Sequence, residues 1–482
     1  MSKSAKEMPK VDRKARLKIP PNIVKKRPPE ERIQDFNEVY PFFYDLETAK
    51  LEAERCIQCP RAPCIRACPI HNDIPGAFWL LEHGDVVGAA NVFRQTSAMP
   101  EVCGRICPQE SLCEGSCVVG KKNIPVHIGK LEAFCADYQR QNYGYPVPEI
   151  APPVGQKVAC VGAGPASMEV AERLAIKGYD VTVYDYWPNA SGLLIYGIPN
   201  FKLDKGMIWE KIEYLKNLGI KFVQNTKVGE DVTLDDLFAQ GFDAIFLGVG
   251  APVCATQNVP GEDLKGLYYA TDFLVRGNLA PELLPEFQRE PLVVGKRVGV
   301  IGGGDTAMDC VRTAKRLPGV AEVTCVYRRT EAEMPGRAEE RTNAKEEGVN
   351  FEFLTVPVRY IGGDDGWVNA MECIRMELGE PDSSGRRRPV PIEGSNFIQE
   401  VDTVVLALGY WPDPLLGEKT EKLETHKWGL FVVDEETGAT SREAVFAGGD
   451  AVRGADLVVT ALASAKIASQ GIDDYLRAKR ES

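Results

Sequence analysis

The chain of 482 residues is long enough for two to four domains, each able to bury its own core. With 44% hydrophobic and 26% charged residues it has the composition of an ordinary globular protein, and its formal net charge of −12 argues against non-specific binding to nucleic acid or to an anionic membrane surface. No window approaches the roughly 18 consecutive apolar residues of a transmembrane helix, and the basic residues 1–26 lack the apolar core of a signal peptide, so the expected location is the cytoplasm.

In chain order, residues 1–35 are polar, rich in Lys, Arg and Pro, and read as a partly ordered arm. Residues 35–141 read as helical stretches interrupted by cysteine groups; 74–82 and 130–140 mix apolar and polar residues without strand alternation. Pro146, Pro148, Pro152 and Pro153 mark residues 145–156 as a linker. Beyond it the apolar run Lys157–Val161, a Gly-rich turn, a helical stretch to Lys177 and the run Asp180–Tyr184 give strand, turn, helix, strand. The same succession recurs from Arg297 to Tyr327, and two such units predict two dinucleotide-binding domains. Runs 244–249 and 403–408 each end at a glycine, as crossing points between interleaved domains would. Residues 444–450 read as a strand closing on an acid, followed by a helix over 456–470. The expected fold class is therefore α/β. A helical domain would occupy residues 1–150, a first dinucleotide domain would be split between 151–260 and 406–482, and a second would be inserted at 261–405.

Fourteen cysteines are spread unevenly, nine between Cys56 and Cys135 and five beyond. In a cytoplasmic protein such clustering points to metal or redox sites before disulfides. The first group is Cys56-x2-Cys59-x4-Cys64-x3-Cys68-Pro69; the second is Cys107-x5-Cys113-x3-Cys117, preceded by Cys103. Iron in a cluster takes thiolate ligands, and short loops can wrap sulfurs around a cube. The Cys-x3-Cys-Pro ending is also that of the bacterial ferredoxin run, whose last cysteine ligates the other cluster. Zinc sites favour paired Cys-x2-Cys motifs, of which there is one here. Two cubane clusters need eight ligands. Cys135, on an expected helix, reads as a packed thiol, while spacing alone leaves Cys103 open.

The first dinucleotide fingerprint is Gly162-Ala163-Gly164-Pro165-Ala166-Ser167. Gly162 allows the tight turn, Gly164 lets the backbone approach a pyrophosphate, and Ser167 is small enough for helix–strand packing. Asp185, at the end of the next strand, is placed to accept a ribose hydroxyl, the pattern of an FAD site. The second fingerprint is Gly302-Gly303-Gly304-Asp305-Thr306-Ala307, and its next strand ends not in an acid but in Arg328-Arg329. Guanidinium groups there suit the 2′-phosphate of NADPH; a solvated surface pair is the bland alternative. Gly449 and Asp450 close the first domain, and the helix over 456–470, with Leu457 and Val458 in its first turn, offers its N-terminus to a reduced flavin.

These residues resemble the small subunits of bacterial NADPH-dependent glutamate synthases over nearly the whole chain. The resemblance includes Cys103-Gly-Arg-Ile-Cys-Pro-Gln109, Leu112-Cys-Glu-Gly-Ser-Cys117, Gly192-Leu-Leu-Ile-Tyr-Gly-Ile-Pro199, Gly302-Gly-Gly-Asp-Thr-Ala-Met-Asp-Cys310, Val326-Tyr-Arg-Arg329, Met334-Pro-Gly336 and Ala451-Val-Arg-Gly454. The wider family includes the large subunit of ferredoxin:NADP oxidoreductases and the electron-input half of dihydropyrimidine dehydrogenase. The resemblance implies FAD, NADPH and two [4Fe–4S] clusters, in a layout like that of glutathione reductase. It assigns one cluster to Cys56, Cys59, Cys64 and Cys117. The other takes Cys68, Cys107 and Cys113 with Glu132 as a non-cysteine ligand, leaving Cys103 outside. It also adds Gly192 and Leu193 to the flavin contacts and implies a glutamate synthase large subunit as partner in a hetero-oligomer. One departure stands out: Ser191-Gly192 occupies a place where the family usually has two glycines.

A flavin must stand between NADPH and the clusters, because it alone exchanges a two-electron hydride for single electrons; no residue need act as acid or base. A disulfide reductase would need a Cys-x2-Cys beside the flavin, and the one available belongs to a cluster run. A single-chain glutamate synthase would need a cysteine nucleophile after the initiator, where Ser2 stands. A non-catalytic assembly subunit would have lost the nucleotide motifs. The remaining alternative is a related subunit serving a different acceptor.

Overall fold

The computed structural model describes residues 11–481 apart from Phe42 and Ser384. Residues 1–10 of the expected arm, Ser2 among them, lie outside the described residues. The rest of the arm is mostly extended chain with two one-turn helices, Arg13–Arg16 and Pro29–Arg32.

The cysteine region is helical: Leu46–Glu54, Ile74–Glu82, Val86–Arg94, Pro100–Ile106 and Ile128–Tyr143. Three of these helices start at an aspartate that accepts an amide of its own first turn: Asp45 from Thr48, Asp73 from Gly76 and Asp85 from Gly88. Their apolar faces meet around Phe78, Phe93, Leu81 and Leu131. Arg55 is fully buried, paired with Glu52 at 2.6 Å and donating to the carbonyls of Ile124 and Pro125. It thereby pins the first cysteine loop to the chain beyond the second.

After residues 144–156 the chain builds two parallel five-stranded sheets. The first has the order Val445–Ala447, Ala244–Leu247, Lys157–Val161, Asp180–Tyr184, Lys221–Val223. Its central strands are buried along nearly their whole length because helices Pro165–Ile176 and Val458–Glu481 pack on the sheet, which is why the sequence runs are apolar without alternation. The second sheet has the order Leu267–Tyr269, Thr403–Leu406, Arg297–Ile301, Glu322–Tyr327, Asn350–Phe353. An antiparallel sheet of Thr355–Gly362, Val368–Pro381, Arg387–Pro391 and Phe397–Glu400 is inserted between its strands Asn350–Phe353 and Thr403–Leu406. Every residue of the second sheet falls between Leu247 and Val445, the neighbouring strands of the first.

Some expected bounds shift. Runs 244–249 and 403–408 pair only as far as Leu247 and Leu406, because the chain then leaves each sheet. It crosses on a two-stranded antiparallel link, Val253–Cys254 with Tyr410–Trp411, that the sequence reading did not foresee. Leu406 pairs with Tyr269 and Ile301, so the second sheet extends one residue past the expected boundary at 405. The last helix starts at Val458 and continues past residue 470 to Glu481. Among the described residues no helix is long and apolar enough to cross a membrane.

A buried ionic network ties the parts together. Arg312 bonds Glu340 at 2.5 Å and Glu347 at 2.8 Å, Arg316 bonds Glu347 at 2.8 Å, and Arg32 of the arm stands 3.7 Å from Glu347 and 2.6 Å from Glu346. Lys202, from the first dinucleotide domain, pairs with Asp309 of the second at 2.8 Å. The ring of Phe201 lies under both Arg312 and Arg316, at 4.3 and 4.2 Å, and stacks on Phe36 of the arm. Burial alone would raise the Glu340 carboxyl, but the charges of Arg312, Lys202 and Arg337 outweigh it and hold it down to about 2. A carboxyl depressed below its unfolded value stabilises the fold above that value and ceases to do so as pH falls through the folded one. Glu340→Gln is therefore expected to cost about 1.5–3 kcal/mol at neutral pH, because Arg312 loses one of its two carboxylate partners. In thermal unfolding, the deficit should shrink as pH falls from 4.5 towards 2; a pH-independent deficit would rule this out.

Candidate functional site

The first Gly-rich turn is built by contact. Gly162 has φ +84°, its amide donates to the Tyr184 carbonyl at 2.8 Å, and a Cβ there would stand 2.6 Å from the Gly248 carbonyl oxygen. Gly164 is different: a Cβ would enter open space, its nearest neighbour 4.0 Å away. Its missing side chain keeps clear the side of the turn where a pyrophosphate would lie, at the N-terminus of helix Pro165–Ile176. Ser167 is fully buried against Gly248, the close packing that its position demands. Asp185 accepts the Ala163 amide at 2.6 Å and the Trp187 amide at 2.9 Å. Burial without a counter-charge pushes its carboxyl up to about 6 despite those donors.

Gly192 lies over this turn, at φ +53° with its Cβ direction 3.1 Å from Gly164 Cα, and Leu193 beside it is exposed. Ser191 before it has φ +106°, a conformation that suits glycine, and is held there by its amide on the Ala163 carbonyl at 2.9 Å. The departure from the family pattern thus places a side chain where the backbone is strained. From the far end of the chain, Gly449 (φ +70°) donates to Ser464 Oγ at 2.7 Å and packs on Ala166, bringing the half-buried Asp450 to the same turn. Burial pushes the Asp450 carboxyl up to about 6.

The second turn repeats the plan. At Gly302 (φ +145°) a Cβ would stand 2.2 Å from the Ala407 carbonyl oxygen, and at Gly303 it would meet the Tyr327 ring at 2.6 Å. Gly304 again faces open space ahead of helix Asp305–Ala314. Asp305 accepts the Arg337 amide at 2.9 Å, and Gly336 donates to the Gly303 carbonyl, so the segment around Met334 backs the turn. Thr306 faces Tyr410 of the crossing link. The structure divides the expected arginine pair. Arg329 is buried, bonded to Asp382 at 2.8 Å and to the Arg387 carbonyl at 2.7 Å. Arg328 is exposed and in no ion pair among the described residues. The antiparallel sheet, which no motif announces, supplies Arg329 with these partners.

The cysteines fall into two neighbourhoods. Cys56, Cys59, Cys64 and Cys117 line one apolar cavity with Ile74, Phe78, Val126 and Ile128. Cys68, Cys103 and Cys107 belong to a packed apolar cluster with Ile70, Val459 and Leu462, and Leu457 and Val458 pack on it. Cys113 and Glu132 stand beside this second group. Cys64 and Cys68 lie one turn apart, as do Cys113 and Cys117, so the same two turns serve both neighbourhoods. Gln58, Ala62 and His71 adopt positive φ (+49°, +34°, +56°), which curls the loops about their sulfurs, and the Gln58 amide donates to the Cys56 thiol. Burial raises these thiols, Cys68 to about 11 and Cys64 to about 12. Glu132 is buried with Asn72 Nδ2 at 3.1 Å, and burial pushes its carboxyl up to about 8. Buried thiols and an acid lacking a cation fit a positively charged inorganic cluster. Among the described residues no three such side chains close in tightly enough to hold a single metal ion. Cys103 is buried between the Cys107 thiol and Ser97 Oγ, and Cys135 is packed in the helical core, as expected. Val459 and Leu462, which the sequence reading passed over, mark where the last helix meets the cysteines; their signal was its apolar stripe.

Two Gly-rich turns on parallel sheets and a helical region ringed by thiols define a class: oxidoreductases that join FAD- and NAD(P)-binding domains to a 4Fe–4S domain. Residues 32–143 match the family described as dihydropyrimidine dehydrogenase domain II, 4Fe-4S cluster, and residues 156–465 match the pyridine nucleotide-disulphide oxidoreductase family. The chain is 42% identical to the oxidoreductase AegA of Escherichia coli, over 99% of this chain and 73% of AegA. It is 41% identical to the small chain of NADPH glutamate synthase from the same organism, over 94% and 96%. It is 39% identical to the beta subunit of an NADP-dependent formate dehydrogenase from Moorella thermoacetica, over 86% and 60%. Mycobacterium tuberculosis FprA in complex with NADPH superposes with a TM-score of 0.57 at 23% identity, over 68% of this chain and 86% of FprA, a likeness of fold. The chain belongs to the family of NADPH-linked flavin and 4Fe–4S oxidoreductases that includes the glutamate synthase small chains.

Ser191 gives a direct test of the local geometry. Ser191→Gly is expected to relieve about 1 kcal/mol of backbone strain and to raise the thermal midpoint of the holoprotein by about 2 °C. A lower midpoint would show that the contact of Ser191 Oγ with Met168 Sδ, at 3.4 Å, outweighs the strain.

Proposed function

We propose that the chain is the NADPH-oxidising small subunit of a glutamate synthase. It would pass electrons through two [4Fe–4S] clusters to a large subunit that makes glutamate from glutamine and 2-oxoglutarate. The observation that carries this reading is an unbroken succession of neighbourhoods. The crossing link joins the two sheets that carry the Gly-rich turns, the first domain's last helix packs on Cys68 and Cys107, and Cys68 and Cys113 each lie one turn from a cysteine of the half-buried outer set.

When bound, FAD supplies the exchange between hydride and single electrons, and the clusters supply a one-electron path. Gly162, Gly164, Pro165 and Ala166 would hold its pyrophosphate at a helix N-terminus, Asp185 would accept a ribose hydroxyl, and Asp450, Gly192, Leu193, Gly449, Leu457 and Val458 would complete its site. Gly302, Gly303, Gly304, Asp305 and Thr306 cradle the NADPH pyrophosphate, and Arg328 reads the 2′-phosphate. Arg329 fixes the strand end from which Arg328 reaches out. Cys56, Cys59, Cys64 and Cys117 hold the outer cluster; Cys68, Cys107, Cys113 and Glu132 hold the inner one.

The near-equal likeness to AegA and to a formate dehydrogenase subunit supports a second reading, the same module serving a different acceptor. Mixing the anaerobically purified chain, carrying about eight irons, with a glutamate synthase large subunit, NADPH, glutamine and 2-oxoglutarate decides between them. Glutamate should form with both chains present and not with this chain alone. Failure of the pair, with another acceptor reduced instead, favours the second reading. For the nucleotide, Arg328→Ala removes a charge-assisted contact of about 1.5–3 kcal/mol, so NADPH affinity should fall at least about tenfold while NADH affinity holds. Parallel losses for both nucleotides would remove Arg328 from the role.

A further inference from the structure

Around the outer cysteines the surface is cationic, although the chain as a whole carries −12. Arg13 Nε and Nη2 donate to the carbonyls of Ile57 and Gln58, inside the Cys56–Cys59 loop, at 3.0 and 3.1 Å. Lys14 follows on the same turn, Arg61 is exposed within the Cys59–Cys64 loop, and Lys121 and Lys122 are exposed just beyond Cys117. Among the described residues none of these five enters an ion pair of 4 Å or less. The exposed acids of the same segments are Asp12, engaged with the Lys14 and Ala15 amides, and Glu54. Arg16 reaches the Cys56 carbonyl but is neutralised by Glu82. Cys56, Cys59, Cys64 and Cys117 are all half-buried, whereas of the inner cysteines Cys107 is half-buried and Cys68 and Cys113 are buried, so this collar surrounds the more exposed end of the cysteine succession.

We propose that the collar is the docking surface for the electron acceptor, and that the acceptor is a protein with an acidic face around its own one-electron centre. The inference rests on the reading that electrons leave through the outer cluster. A positive ring on a strongly negative molecule attracts an acidic partner at one place and repels it elsewhere. That orients the encounter as well as accelerating it. At physiological salt the field reaches about 8 Å, so docking must bring the two centres close before the steering is felt in full. A partner with a basic face would be turned towards the flavin domains, away from the cysteines.

The test uses the holoprotein with two probes, an acidic plant-type [2Fe–2S] ferredoxin and the cationic cytochrome c. Affinity is measured by calorimetry at about 20 mM and about 300 mM salt, and re-oxidation of the pre-reduced clusters is followed by stopped flow. In Arg61→Glu/Lys121→Glu/Lys122→Glu, ferredoxin should bind at least about tenfold more weakly at low salt, its salt dependence should flatten, and cytochrome c should gain. NADPH-driven dye reduction should hold. Because Arg61 lies inside a cysteine loop, Lys14→Glu/Lys121→Glu/Lys122→Glu, checked for full iron content, repeats the measurement outside it. Unchanged ferredoxin affinity in both variants, with clusters that still re-oxidise, overturns the collar and leaves the proposed function standing. Clusters that stay reduced with every acceptor while dye reduction continues overturn the electron path itself, and the collar with it.

Discussion

The carboxylate of Glu347 faces three guanidinium groups, Arg312 and Arg316 from its own domain and Arg32 from the arm, in a place closed to water. Buried charges of this kind persist only when geometry and hydrogen bonds offset their desolvation, so the arm, the inserted domain and the Phe201–Lys202 segment can sit in one arrangement and not in neighbouring ones. That constraint underlies the chemistry proposed here. Two dinucleotides bound to separate sheets react only if the sheets hold their reactive ends in register. The link Val253–Cys254 with Tyr410–Trp411 is too slight to set that register unaided. Lys202 on Asp309, one turn into the helix that follows the second Gly-rich turn, ties the network directly to nucleotide-binding backbone.

The cysteine region answers a different problem. Helices can bury apolar faces, but among the described residues no cation offsets the burial of Cys64, Cys68 or Glu132. Backbone donors soften the cost at Cys56 and Cys68, and left-handed residues in the loops pay in strain for aiming sulfurs inward. Such expense is characteristic of a functional site and is returned when iron and sulfide arrive.

Much of this was legible in the sequence where chemistry is local. The turns at Gly162 and Gly302 announced themselves because only glycine tolerates their φ and their carbonyl contacts, and the strands beside them because full burial makes them continuously apolar. Cys-x3-Cys spacing is one helical turn, so the sharing of turns between neighbourhoods could be anticipated. Pairings set by distant chain could not. Asp382 captures Arg329 from fifty-three residues away, and Arg32 finds Glu346 and Glu347 across most of the molecule. The strain at Ser191 was half legible: the departure from two glycines was visible, its backbone angle was not.

The order of strands in the first sheet bears on synthesis at the ribosome. Its edge strand Val445–Ala447 and the helix Val458–Glu481 that covers both the sheet and the Cys68 neighbourhood emerge after the cysteine helices and after both Gly-rich turns. A nascent or truncated chain can fold its cysteine helices early, since their contacts are local, yet it has no complete flavin cradle and no cover for the inner cysteines. Redox competence therefore waits on the helix Val458–Glu481, which lies more than three hundred residues beyond the cysteines it covers.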